Sequence, residues 1–237
     1  MAPLFEELDY QPTGIGALSL RRRHDLRLRQ DVLEIKLGDA FLMTSAFTAS
    51  EIALARSGLA ACAGDALDVV VGGLGLGYTA QEVLACPRVR RLDVVEYLAP
   101  VIDWHQSGLL PLGPEIAGDP RCHLRQGDFF ALTASEAGYD PDRPGHRHDA
   151  ILVDIDHSPE ALLDPRSSSF YQPDGMRDVL RHLRAGGIFG LWSNEPPDAR
   201  FADRLAGVFV EAWAEEVVFH NPLQDRPFVQ SVYLARA

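Results

Sequence analysis

The stretch that decides the fold is Asp68-Val-Val-Val-Gly-Gly-Leu-Gly-Leu-Gly77, followed by a helical segment and then Leu92-Asp-Val-Val-Glu96. An apolar run ends in glycines at alternate positions, Gly73, Gly75 and Gly77. A second apolar run ends in a carboxylate 19 residues after the last of them. This pattern predicts a strand, a tight turn, a helix N-terminus and a second, parallel strand carrying a ribose-binding acid. Glycine is needed because the turn demands backbone angles that a side chain obstructs, and because a ligand must approach the main chain closely. Glu96 is placed to accept hydrogen bonds from both hydroxyls of a ribose. The alternative is a merely glycine-rich strand–helix turn; the spaced acid argues for a nucleoside-containing cofactor instead.

Working outward, apolar strands and helical segments alternate. Strands are expected at 67–71, 92–96, 121–125, 149–154 and 187–193, and helices near 78–85, 98–107, 129–137 and 173–184. Runs such as Val69-Val-Val71 and Ala150-Ile-Leu-Val153 are apolar without interruption, as strands covered on both faces are. The end of the chain differs. Residues 214–219 and 229–234 read as an antiparallel hairpin whose connection holds Pro222 and Pro227. The fold class is therefore α/β, a doubly wound, Rossmann-like, mostly parallel sheet with a C-terminal antiparallel hairpin. A small β-rich N-terminal segment, residues 1–47, precedes the main domain at 48–237. Within it, Ala17–Arg22, Leu26–Arg29 and Val32–Leu37 alternate at period two, Gly38-Asp39 is a turn and Ala40–Met43 returns. Arg21, Arg22 and Arg23 are read as the solvated face of a hairpin in preference to an anion site. Thr48 or Ser50 is expected to cap a helix running to about Leu59, with Glu51 as its first-turn acid. Residues 138–148 are expected to be a surface loop.

Composition narrows the function classes. The chain has 237 residues and a net charge of -12, with 34 acids against 22 Lys and Arg. A nucleic-acid binder needs a basic surface, so no nucleic-acid partner is expected. Cys62, Cys86 and Cys122 are widely spaced and make neither a disulfide framework nor a zinc site; His105, His123 and His220 show no paired spacing, and no metal is expected. No signal peptide or run of about 18 apolar residues occurs, so a cytoplasmic protein with no membrane partner is expected.

Ligands of doubly wound sheets bind beyond the carboxyl ends of the strands. The residues there are Gly73 to Gly77, Glu96, Gly127-Asp128, Asp154 to Pro159 and Ser193-Asn194, a set rich in carboxylates. Their order resembles the spermidine synthase (polyamine aminopropyltransferase) family, within the fold of S-adenosylmethionine-dependent methyltransferases. The resemblance is carried by Ser50-Glu51-Ile-Ala-Leu, Val71-Gly-Gly-Leu-Gly-Leu-Gly77, Val94-Val-Glu96, Gly127-Asp128, Val153-Asp154-Ile-Asp-His-Ser-Pro159, Phe170-Tyr171 and Leu183-Arg-Ala-Gly-Gly-Ile188.

The resemblance implies a cofactor, S-adenosylmethionine or its decarboxylated form, with S-adenosylhomocysteine or methylthioadenosine as product. It implies Gly73, Gly75 and Gly77 at the methionine-derived part and Glu96 on the ribose. Gly127 and Asp128 fall at the adenine, with Asp128 accepting from its amino group and Phe129 flanking the ring. Asp154 falls at the catalytic position, where a carboxylate takes a proton from an attacking amine. Asp156 and His157 line the substrate side, and the partners are a small-molecule amine or other small acceptor and, as a homodimer, a second copy. From the residues alone, Asp154 has a second reading as a turn-capping acid and His157 as a surface histidine. The family carries an Asp inside the glycine loop, and Leu76 stands in its place. Three functions follow: aminopropyl transfer to an amine, methyl transfer to a small molecule, or nucleoside binding without catalysis.

Overall fold

The computed structural model describes residues 4–237. Two compact units are present: the chain up to Ala49 with Val218–Phe228, and Ser50–Val217 with Val229–Ala237.

In the first unit β1 (Phe5–Thr13), β2 (Gly16–Asp25), β3 (Gln30–Leu37) and β4 (Ala40–Thr44) pair antiparallel in sequential order. Leu18, Leu20, Val32 and Ile35 fill its buried face. The strand expected at Leu26–Arg29 is instead the β2–β3 turn. Asp25 Oδ1 accepts from the N–H groups of Arg27 and Leu28 (2.8 and 3.0 Å), and Arg29 adopts a φ of 53°. Four alternating residues cannot outcompete an Asp that ties the backbone two and three residues on. Arg22 pairs with Glu6, and Arg23 with Asp25 and Glu34 (2.9 and 2.8 Å), which are cross-strand and neighbouring acids of the hairpin face.

The second unit follows as α1 (Ala49–Ala61), β5 (Leu67–Gly72), α2 (Tyr78–Ala85), β6 (Val89–Glu96), α3 (Ala99–Gln106), α4 (Gly113–Gly118), β7 (Cys122–Gln126), α5 (Phe129–Ala134) and β8 (His148–Val153). A 3-10 helix (Pro165–Tyr171), α6 (Pro173–Arg181), β9 (Leu183–Ser193), α7 (Ala199–Ala206), β10 (Glu211–Asn221) and β11 (Arg226–Arg236) complete the chain. The seven-stranded sheet has the order β10-β11-β9-β8-β5-β6-β7. Strands β5 to β9 run parallel and β11 pairs antiparallel with β9. Every residue of β5 is buried, as are Ala150 to Val153 of β8, which accounts for their unbroken apolar character.

From β5 the chain steps outward through β6 to β7, then returns to the other side of β5 as β8. The order therefore reverses between β5 and β8, and the crevice beyond their carboxyl ends is where such sheets bind ligands. Acids at the opposite, N-terminal end of the strands are consumed by arginines. Asp68 pairs with Arg90 and Arg184 (2.7 and 3.2 Å), and Asp93 and Asp140 with Arg91, Arg125 and Arg143. Burial alone would raise the Asp68 carboxyl, but hydrogen bonds from Arg90 and His146 hold it well below the usual carboxylate range.

Two local expectations change. Of the two expected caps, Thr48 immediately precedes α1 whereas Ser50 lies inside it: the Ser50 hydroxyl donates to Glu51 Oε2 and accepts from Trp192 Nε1, both at 2.8 Å. Residues 138–148 are not a mere surface loop, since Tyr139 and Asp140 are each 1% exposed. Tyr139 stacks on Phe129 with ring centroids 5.1 Å apart, and Asp140 anchors the arginine cluster. The Pro/Gly/charge pattern marked the absence of helix and strand, not exposure.

Candidate functional site

The glycine loop leaves β5 and enters α2 with Gly73, Gly75 and Gly77 at φ of 92°, 47° and 97°. These are left-handed conformations that side chains adopt only at a cost. Space reinforces the choice. A Cβ on Gly73 would stand 2.1 Å from the Asp154 carbonyl oxygen, and one on Gly77 would meet Ile116 and His105 at 2.5 and 2.8 Å. The loop is thus pressed against the end of β8 on one side and against α3 and α4 on the other.

His105 of α3 supports the loop from beneath. Its Nε2 lies 3.0 Å from the Gly75 carbonyl oxygen. That oxygen can only accept, so Nε2 carries the hydrogen and the buried Nδ1 is a bare acceptor, without a partner among the described residues. Burial lowers the pKa of His105, which keeps the ring neutral.

Glu96, at the end of β6, turns its carboxylate onto this loop. Oε2 accepts from the Leu74 N–H at 2.9 Å and Oε1 from the Leu98 N–H at 2.8 Å. Burial raises the Glu96 pKa, and backbone amides at Leu98, Leu74, Gly75 and Tyr97 offset part of that rise. Four main-chain amides thus converge on a carboxylate that has about four acceptor positions, and they hold it against the loop. Among the described residues no Lys, Arg or His pairs with it, in contrast to the acids at the opposite end of the sheet.

Asp154 follows the last residue of β8 and is half-buried. Its Oδ2 accepts from the Thr79 hydroxyl of α2 at 2.8 Å, and its N–H donates to the Gly72 carbonyl at 2.8 Å. Desolvation pushes its carboxyl up to about 6, with the Thr79 hydrogen bond opposing the shift. Thr79 also reaches the Glu51 carbonyl oxygen at 3.5 Å. Glu51 itself is 7% exposed, and burial followed by the Asp154 charge pushes it up to about 7. The sequence marks Glu51 as a first-turn helix acid within a stretch that carries the resemblance, without a role at the site, and does not mark Thr79. The signal that could have found them is a carboxylate and a hydroxyl at the N-termini of the two helices that flank β5.

Other residues stand differently from their expected places. Asp156 does not line an open face. It is 3% exposed, its Oδ1 accepts from the Leu163 N–H (2.6 Å), and its Oδ2 accepts from the Ser167 and Tyr171 hydroxyls (3.2 and 2.7 Å). With three donors already on it, Asp156 organises the 156–171 segment. Phe129 does not present a free ring either. It is 2% exposed, stacked on Tyr139 and edge-on to Phe170, and a Cβ on Gly72 would touch it at 2.7 Å. Its place is in the core beneath the strand ends. Asp128 is exposed and caps α5, its Oδ1 accepting from the N–H groups of Phe130 and Ala131 (2.9 and 3.1 Å). Gly127 donates its N–H to the Glu96 carbonyl at 2.9 Å. His157 lies beyond β8, its carbonyl accepting from the Asn194 N–H at 2.7 Å. Among the described residues no group of three His, Cys, Asp or Glu could hold a metal, and no helix is long and apolar enough to cross a membrane.

No family model matches the chain. The polyamine aminopropyltransferase of Prochlorococcus marinus is 33% identical over 130 residues, 54% of this chain and 40% of that protein. Putrescine N-methyltransferase 4 of Nicotiana tabacum is 31% identical over 121 residues, 51% of this chain and 28% of that protein. The match thus spans less than half the length of these relatives. The spermidine synthase of Thermotoga maritima superposes over 97% of this chain and 72% of its own, with a TM-score of 0.73 at 16% identity. The fold is that of a spermidine synthase. A spermidine synthase in complex with the transition state analogue AdoDATO gives the same TM-score, covering 97% of this chain and 73% of its own at 16% identity.

Proposed function

We propose that the chain is a transferase that binds an S-adenosyl sulfonium compound and transfers its aminopropyl group to a small amine, with Asp154 as base. One observation carries this reading. At the reversal point of the sheet, the left-handed glycine loop, a Glu96 held by main-chain amides with no cationic partner among the described residues, and a desolvated Asp154 converge within hydrogen-bonding reach of the same loop and helix. The glycines let the main chain turn tightly from β5 into α2 beside the crevice, and Glu96 lies where a ribose diol would donate to it. Asp128 lies at the end of the neighbouring strand, where it would accept from the adenine amino group, with Gly127 beside it.

The bound sulfonium supplies an activated carbon and a good leaving group. The protein's part is to hold the acceptor nitrogen in line with that carbon and to take its proton. Asp154 suits that part: desolvation keeps its carboxyl basic near neutral pH, and Thr79 fixes the orientation of Oδ2. His157 sits on the same strand-end segment and would face the acceptor; Asp156 shapes that segment from behind.

Methyl transfer on the same scaffold is the second reading. It is favoured by the N-methyltransferase relatives at 31% identity and by Leu76, which stands where the aminopropyltransferase pattern has an acid. Incubation with S-adenosylmethionine or its decarboxylated form, together with a panel of di- and polyamines, separates the two by mass spectrometry. Addition of an aminopropyl group supports the first reading and addition of a methyl group the second. No mass gain with any pair removes both.

A further inference from the structure

His105 is wholly buried, and its ring makes one hydrogen bond, to the glycine loop. Taking an imidazole out of water costs free energy unless each of its two nitrogens finds a partner. Nδ1 has none among the described residues, so the only compensation is the 3.0 Å bond from Nε2 to the Gly75 carbonyl. The ring is also held where it stands. The Gly108 N–H donates to the His105 carbonyl at 3.2 Å, and α4 comes so close that a Cβ on Gly113 would stand 2.4 Å from that oxygen. On the loop side a Cβ on Gly77 would meet the ring carbon Cε1 at 2.8 Å. Gly75 is gripped from two directions: its carbonyl accepts from His105, and its N–H is directed at the Glu96 carboxylate. A line of hydrogen bonds thus runs from α3 through Gly75 to the acid that ends β6. Glycine has the widest choice of backbone angles, so Gly75, at a φ of 47°, takes the orientation that these bonds impose.

We propose that His105 is a positioning residue for ligand binding: with its hydrogen on Nε2 it holds the Gly75 carbonyl against α3, and so keeps the loop and Glu96 in the arrangement that receives an adenosyl ligand. The inference rests on the reading of the loop and Glu96 as the adenosyl site. It extends that site to a residue behind the loop, 30 positions further along the chain, which acts through Gly75 alone. With an apolar ring in its place the Gly75 carbonyl would lose its donor, and the loss is relieved by turning that peptide towards water. Such a turn displaces the loop at its middle glycine, beside Glu96.

The test is calorimetric titration of S-adenosylmethionine, its decarboxylated form and methylthioadenosine into the full-length protein, His105→Phe and His105→Gln, each well below its Tm. Phe keeps the bulk of the ring without a donor, and Gln places an amide nitrogen where Nε2 lies. Affinity falls roughly 10- to 100-fold in His105→Phe and is largely restored in His105→Gln. A merely structural histidine would lower the Tm and leave the affinity of the folded protein where it was. Should His105→Phe not fold, His105→Asn serves as the loss variant, because its shorter amide stops at the Nδ1 position. Nitrogen-15 NMR of the imidazole in the unmodified protein is the second readout: Nε2 carries the hydrogen, Nδ1 is bare, and the Nε2 resonance moves when ligand binds. A hydrogen on Nδ1, a resonance unmoved by ligand, or no recovery in His105→Gln overturns the inference. Equal affinity in the unmodified and Phe proteins overturns this role alone, whereas an unmodified protein that binds none of the three ligands contradicts the adenosyl site and this role together.

Discussion

Gly73→Ala puts the geometry of the glycine loop to a quantitative test. At φ 92° an alanine is held in a left-handed conformation that costs about 1–2 kcal/mol. Its Cβ would also stand 2.1 Å from the Asp154 carbonyl oxygen, roughly an ångström inside contact, against main chain that cannot rotate away. Overpacking of this kind costs about 1–3 kcal/mol. The sum is about 2–5 kcal/mol, which for a chain of this size lowers Tm by roughly 5–15 °C. Gly64→Ala is the internal control. Gly64 has a similar φ of 88° with nothing within 4 Å of an added methyl, so it bears the conformational cost alone, a drop of roughly 2–6 °C. Calorimetric melts of both variants measure the difference. Equal drops, or a Gly73→Ala protein as stable as the unmodified one, would refute the claim that the loop is pressed against the end of β8.

Asp154→Asn removes the base while keeping the Thr79 hydrogen bond available, and transfer should fall by about 10²–10⁴-fold with binding of the adenosyl ligand retained. Unchanged turnover in a stopped assay would take Asp154 out of the chemistry. Asp156→Ala leaves the buried donors of Leu163, Ser167 and Tyr171 without their acceptor, a loss of about 2–5 kcal/mol in a denaturation experiment. Unaltered stability with a raised KM for the amine would instead make Asp156 a substrate ligand. Glu51→Gln should be more stable than the unmodified protein by about 1–3 kcal/mol at pH 8 and indistinguishable near pH 4. The sign follows from a folded-state carboxyl pushed from 4.5 to about 7: the folded protein keeps a proton that the unfolded chain has lost, so the native glutamate erodes stability as pH rises through that window. A difference between the two melts that does not grow with pH counts against the burial cost assigned to Glu51.

The parallel core was legible because its strands are buried on both faces, which leaves runs such as Val69–Val71 and Ile151–Val153 with no polar interruption. The loop was legible because Gly73, Gly75 and Gly77 answer a local backbone demand, and Glu96 because it ends an apolar strand. What stayed hidden depends on contacts distant in the chain. Glu51 has an adequate local explanation as a first-turn acid; its burial comes from Thr79, Asp154 and Trp192, which the fold brings to it from 28, 103 and 141 positions away. Asp156 looks like Asp154 in sequence, both being acids just past an apolar strand. Only the return of Leu163, Ser167 and Tyr171 reveals that its acceptors are already taken. Leu26–Arg29 alternates as a strand does, yet Asp25 turns it. The short helices α4 and α7 offered too few residues for a period to register.

Calorimetric titration of the folded protein with S-adenosylmethionine, its decarboxylated form and methylthioadenosine, repeated on Glu96→Ala, tests the central claim most directly. The account predicts micromolar binding of at least one ligand and a loss of about 1–3 kcal/mol in the variant, whose ribose contacts are gone. No heat with any of the three, or equal affinity with and without Glu96, would contradict it.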